Sequence, residues 1–297
     1  MKFRISKAHR AAIDILFKLA VVAGLSWLLY TELYGQADAA AFWHLIQQQW
    51  GSRQQYYLWL VAGLMPLNWG LEAQKWRVLL RPFWRIGIWR ALRAVTSGVV
   101  LSLFTPNRVG DYGGRVLAVP PARNWQAVLA TLAGNIAQLI ALLTGGLIGM
   151  AWYLQSQDAL PSLMLSGLWW LVLLALAALY LLFLNLQWLS IPLRYSAWLR
   201  KRLQPLLQLE QFQTTRLLQG LLLALLRYSV YCLQYYFILR FFGINAPLGA
   251  ALSGIATIFL VQASVPLPPL AALLARGEAA LIVWAPYSDG QIAILAA

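Results

Sequence analysis

Apolar residues run in long blocks along this chain, and polar residues gather in short clusters between them. Blocks near residues 11–30, 57–80, 125–154, 163–188 and 217–242 approach or exceed about 20 mostly apolar residues, enough to cross a hydrocarbon layer as a helix. Two further apolar regions, 94–118 and 249–286, are interrupted. Ala94 to Phe104 makes roughly 16 Å of helix at about 1.5 Å per residue, which is too short to cross. It leads into FTPNRVGDYGGR (Phe104 to Arg115), where Pro106, Gly110, Gly113 and Gly114 surround Arg108, Asp111 and Arg115. The second region holds VPLPP (Val265 to Pro269) with Pro266, followed by Arg276, Gly277 and Glu278. Irregular backbone at membrane depth persists only where protein or a watery cavity satisfies its polar groups. The pattern predicts an all-α, polytopic helical membrane protein, one domain over 1–297, with two re-entrant or broken hairpins hinged at these prolines and glycines.

The basic residues sort by loop. Lys2, Arg4, Lys7 and Arg10 precede the first block, whereas Thr31 to Tyr56 has only Arg53. Arg81, Arg85, Arg90 and Arg93 follow the second block, and Arg194, Arg200, Lys201, Arg202 and Arg216 occupy the 190–216 connection. Gln155 to Ser162 has none. The positive-inside rule then puts the N-terminus and the 81–93 and 190–216 loops in the cytoplasm. This alternation closes only if 94–118 enters and leaves on one side. The second broken region starts from the other face, as in an inverted repeat whose broken helices meet near the midplane.

Composition agrees: 61% of the residues are hydrophobic and 11% charged, too apolar a balance for a water-soluble exterior. The net charge of +14 follows the loop pattern, so it reads as a topology signal and not as a nucleic-acid footprint. Cys232 is the single cysteine, and no internal disulfide is possible. The first block lacks a convincing small-residue cleavage site and is expected to remain as an anchor.

Polar residues recur at helical spacing inside the spans. Asn68, Glu72 and Lys75 share one face, as do Thr131, Asn135 and Gln138, and Arg227, Tyr231 and Gln234. A charge at the bilayer centre costs at least about 2.5–3.5 kcal/mol on insertion scales, so such side chains face protein or water and pair. Either the stripes line one polar cavity, with Glu72 and Asp111 answering Arg108, Arg115 or Arg227, or they are hydrogen-bonding glue between helices. Lys75, Arg77 and Arg240 lie near helix ends and are expected to snorkel. Trp69, Trp76, Trp84 and Trp89 read as interfacial aromatics. His9 and His44 stand alone in loops, so no metal or other cofactor is expected. Ser97 with Gly98, and Ser253 with Gly254, read as packing contacts, because no base is paired with either serine. No catalytic residue is assigned. The Walker pattern is absent, yet arginines beside flexible backbone amides suit an anionic, phosphate-containing headgroup.

NWGLEAQKWRVLL (Asn68 to Leu80), SGVVLSLFTPNRVGDYGGR (Ser97 to Arg115) and RGEAA (Arg276 to Ala280) resemble the flippase-like membrane domain of lysylphosphatidylglycerol synthases. The resemblance covers about residues 10 to 290. Its best motif matches Pro106, Arg108, Gly110, Asp111 and Arg115, and a second maps onto Pro269, Gly277 and Glu278. There LAALLARGEA replaces a more glycine-rich stretch. The resemblance implies a helical domain that moves a lipid, or a lipid-linked headgroup, between leaflets, without the aminoacyl transfer of the full synthases. It also implies a final span beyond Asp289 and Gly290 that the chain is expected to lack. In the expected mechanism Arg108 and Arg115 hold the headgroup while Asp111 and Glu72 compete for them. Arg227 lines the cavity, and Arg276 with Glu278 serves the opposite hairpin. The expected partners are membrane lipids, with a synthase or glycosyltransferase as a possible neighbour. The alternatives are a membrane scaffold for such a synthase and an integral-membrane transferase acting on lipid-linked substrates.

Overall fold

The long apolar blocks form helices in the computed structural model. It describes residues 39–102, 109–156, 161–191, 203–264, 269–288 and 290–297, with Tyr195, Trp198 and Lys201. The expected span at 11–30 lies outside the described residues, as do Pro106, Arg108 and Pro266. The helices are α1 (Ala39–Gln49), α2 (Gln55–Leu80), α3 (Ile88–Ser102), α4 (Val109–Val116) and α5 (Asn124–Ser156). They continue with α6 (Ser162–Leu184), α7 (Thr214–Phe241), α8 (Leu248–Ser264), α9 (Pro269–Trp284) and α10 (Gln291–Ala296). No strand occurs among the described residues.

Helices α5, α6 and α7 are long and apolar enough to cross a membrane. Helix α2, with 26 residues, is as long but carries Glu72, Lys75 and Arg77. It joins α5 and α7 in a central bundle whose buried apolar positions include Trp76, Leu79, Ala133, Ala137, Leu221 and Ala224. Helix α6 packs at the edge and leaves Trp170, Leu171 and Leu174 exposed, as a lipid-facing helix does. At the end of α7, Gly243 adopts φ +79°, a left-handed conformation that glycine takes without steric cost.

Each interrupted region contains two shorter helices, on either side of residues 103–108 and 265–268, which lie outside the described residues. Helices α3 and α4 form a tight hairpin against α2 and α5. Their described 15 and 8 residues give about 22 and 12 Å of helix. The contact depends on missing side chains. A Cβ on Gly114 would collide with the Gly98 backbone, one on Gly110 with the Leu101 carbonyl, and one on Gly98 would lie 2.7 Å from Asp111 Oδ1. Gly113, by contrast, faces open space. Helices α8 and α9, of 17 and 16 residues, repeat the design at about 25 and 24 Å. A Cβ on Gly254 of α8 would sit 2.6 Å from Val283 Cγ1 of α9. The order of one long helix and two shorter ones thus occurs twice, in α2–α3–α4 and α7–α8–α9.

Three sequence expectations need correction. Thr31 to Tyr56 is not simply a loop, because α1 occupies 39–49 and carries the exposed His44. The basic 81–93 loop shortens to 81–87. Ala91, Ala94, Val95 and Gly98 recur at helical spacing and bury one face of α3, so the helix starts at Ile88. The 190–216 connection contains a 3-10 segment at Gln204–Gln211, anchored by buried Leu209.

Candidate functional site

The polar stripes converge on one point. On α2, positions 68, 72 and 75 fall on the same face, and α4 places Asp111 and Arg115 one turn apart. Because α4 lies against α3 through Gly114 and Gly98, the neighbouring Arg115 reaches α2. Its Nη2 donates to Glu72 Oε1 at 2.8 Å, and its Nε donates to Asp111 Oδ1 at 3.0 Å. The guanidinium also lies 5.9 Å from the Trp76 ring centroid. Arg115 is only 2% exposed, and its Nη1 is buried without a hydrogen-bond partner.

Glu72 is the hub. Its Oε2 lies 2.7 Å from Lys75 Nζ and 2.8 Å from Arg227 Nη1 of α7. These are close ion pairs whose angles fall outside hydrogen-bond geometry. Arg227 spreads its fork further. Nε donates to Asn68 Oδ1 at 2.9 Å, Nη1 to Gln138 Oε1 at 3.3 Å, and Nη2 to Tyr231 OH at 2.8 Å. Gln138 Oε1 also accepts from Lys75 Nζ at 3.2 Å, so α5 is tied to both cations. Asn68 Nδ2 donates to Gln234 Oε1 at 3.2 Å, which joins α2 to α7 again. Asn135 Nδ2 reaches Tyr112 OH at 3.4 Å.

Among the described residues the cluster holds three cations, Lys75, Arg115 and Arg227, against two carboxylates, Glu72 and Asp111. With all five ionised it carries one excess positive charge. It is also deep: Glu72 lies about 26 Å and about 12 Å from the two ends of α2, and Arg227 about 20 Å from the start of α7. Pairing offsets the insertion cost of these charges but leaves the surplus cation unanswered.

Sequence reasoning named Glu72, Asp111, Arg115 and Arg227, and the fold brings all four together. It misplaced Lys75 and Trp76. Lys75 is 1% exposed and ion-paired, not snorkelling, and Trp76 is fully buried, donating Nε1 to Thr131 Oγ1 at 3.2 Å. The i,i+3 spacing of Glu72 and Lys75 was the available signal. Arg240 behaves as expected near a helix end, donating to Tyr236 OH and Asn245 Oδ1. Arg276 does not join the cluster, for its guanidinium stacks over Tyr235 at 4.6 Å and Phe259 at 5.8 Å. Glu278 is exposed on α9, and a Cβ on Gly277 would lie 3.3 Å from Leu295 Cδ2 of α10. No group of three potential metal ligands comes together among the described residues.

These features define a helical membrane protein with paired broken hairpins and a buried, net-cationic charge cluster. The chain belongs to the lysylphosphatidylglycerol synthase transmembrane region family, whose match spans residues 15–297. No curated protein and no solved structure matches it significantly.

Proposed function

We propose that this protein is a flippase-like translocase that carries an anionic lipid, or a lipid-linked anionic headgroup, between the leaflets of a bacterial inner membrane. The supporting observation is the surplus buried cation. An anion that docks beside Arg115 Nη1 or Arg227 completes the charge balance, and bidentate guanidinium contacts are the usual means of holding phosphate. The two hairpins of short helices give the bundle elements that can yield without unfolding a full span. Family membership places the protein in lipid metabolism and agrees with a lipid cargo. The loop charges favour a cytoplasmic N-terminus. No group in the cluster is arranged as a nucleophile with its base, so the proposal includes no catalytic step.

The test is transport by the purified chain in proteoliposomes. Acyl-labelled phosphatidylglycerol in the inner leaflet is bleached from outside by an impermeant reductant as it appears in the outer leaflet. Movement of phosphatidylglycerol faster than of labelled phosphatidylcholine is expected, with loss in Arg227→Gln. Equal, protein-independent rates for both lipids would overturn the reading and raise the scaffold alternative. A new lipid product would point to the transferase.

A further inference from the structure

Beside the hairpin, and separate from the buried cluster, a cleft of 490 Å³ opens between the first half of α3 and the segment after α4. Its volume falls within the roughly 300–1,000 Å³ typical of ligand sites. One wall is cationic and polar. Arg90, Arg93 and Ser97 lie at i, i+3 and i+7 on the exposed face of α3, opposite the apolar face that anchors the helix. The other wall is apolar, formed by Leu117 and the segment up to Pro120, and Leu117 is 80% exposed. Gly114 leaves the floor without a side chain.

Among the described residues no carboxylate lines this cleft. Among the described residues neither Arg90 nor Arg93 makes an ion pair, and the nearby Asp111 is already held by Arg115. Two unanswered guanidiniums facing a protruding leucine match the chemistry of an amphiphile: a phosphate at one edge and a hydrocarbon chain at the other. Topology alone would account for the two arginines, but not for the apolar lip across from them or for the absence of any acid between.

We propose that this cleft is a receiving site at which Arg90, Arg93 and Ser97 bind the phosphate group of an anionic lipid while its acyl chain lies along Leu117. The idea names the cargo class of the translocation reading and rests partly on it, but its test requires no transport. Leu117→Cys in a Cys232→Ser background is labelled with an environment-sensitive fluorophore and the full chain is placed in phosphatidylcholine nanodiscs. Phosphatidylglycerol with brominated acyl chains is then titrated against brominated phosphatidylcholine.

Stronger quenching by the phosphatidylglycerol is expected. Its apparent affinity should fall about fivefold for Arg90→Gln or Arg93→Gln, and roughly 25-fold for both, as each cation near the surface adds a similar increment. Arg240→Gln, near the end of α7 and outside both the cleft and the buried cluster, should leave the preference unchanged. Equal quenching by the two lipids, or a preference that survives loss of both arginines, overturns the proposal. Relief of the quenching by millimolar inorganic phosphate, with no dependence on lipid headgroup, would reassign the cleft to a free phosphate. A wild type that moves no lipid yet shows the preference refutes translocation and leaves this site standing.

Discussion

Arg115 and Glu72 lie 43 positions apart and meet at 2.8 Å with almost no solvent exposure. This pair joins the short hairpin helix α4 to the long helix α2, and each partner continues into a second ion pair. The α3–α4 hairpin is thereby tied to the bundle by charge as well as by glycine packing.

Removing the hub should be worse than removing its outlier. Glu72→Gln leaves three cations facing only Asp111, and breaking a buried pair from one side costs about 3–5 kcal/mol. Among the described residues Asp111 pairs with Arg115 alone, so Asp111→Asn should cost less. Thermal unfolding of the two variants in detergent checks the order, and equal melting temperatures would show that Glu72 is not the hub.

The hairpin glycines should separate cleanly. Gly114→Ala and Gly110→Ala push a Cβ into backbone that cannot yield locally, and both should lower stability or expression sharply. Gly113→Ala meets nothing within 4 Å and should match the wild type, or gain up to about 1 kcal/mol of helix propensity. A severe Gly113→Ala phenotype would place an unseen partner on that face.

Arg227 should not tolerate lysine. An ammonium can still pair with Glu72, but it cannot also donate to Asn68, Gln138 and Tyr231 as the guanidinium fork does. Arg227→Lys is expected to keep the protein folded, with slower lipid movement than the wild type. Unimpaired transport would mean that only the charge matters.

The hairpins should be reached from opposite sides. In a Cys232→Ser background, Val109→Cys and Glu278→Cys occupy exposed positions on α4 and α9. An impermeant thiol reagent added to intact cells should label Glu278→Cys and not Val109→Cys. Labelling of both from outside contradicts the inverted arrangement.

Much of the fold was legible because hydrophobic blocks and helical spacing are local signals. Asn68, Glu72 and Lys75 declared a shared face, but Gly110, Gly113, Gly114 and Gly277, read as hinge positions, lie inside α4 and α9, where Gly110 and Gly114 serve close backbone packing. What stayed hidden depends on partners far along the chain. Lys75 and Trp76 lie within a turn or so of the end of α2, where snorkelling and interfacial placement are the ordinary expectation. They are buried only because α5 brings Thr131 and Gln138 over them. Arg276 was expected to serve the second hairpin with Glu278, yet rings on α7 and α8 take its guanidinium. The start of α3 was obscured by Arg90 and Arg93, which read as loop charges although they ride the polar face of an amphipathic helix.

The surplus cation can be removed without dismantling the hub. Lys75→Gln leaves Arg115 and Arg227 against Glu72 and Asp111, a balanced set, and keeps a donor near Gln138. The measurement is outward movement of acyl-labelled phosphatidylglycerol by Lys75→Gln in proteoliposomes, paired with its melting curve. Removal of the excess positive charge should slow anionic lipid more than labelled phosphatidylcholine while the protein stays folded. Wild-type rates in a folded Lys75→Gln would contradict a role for the buried positive charge in recognising the headgroup.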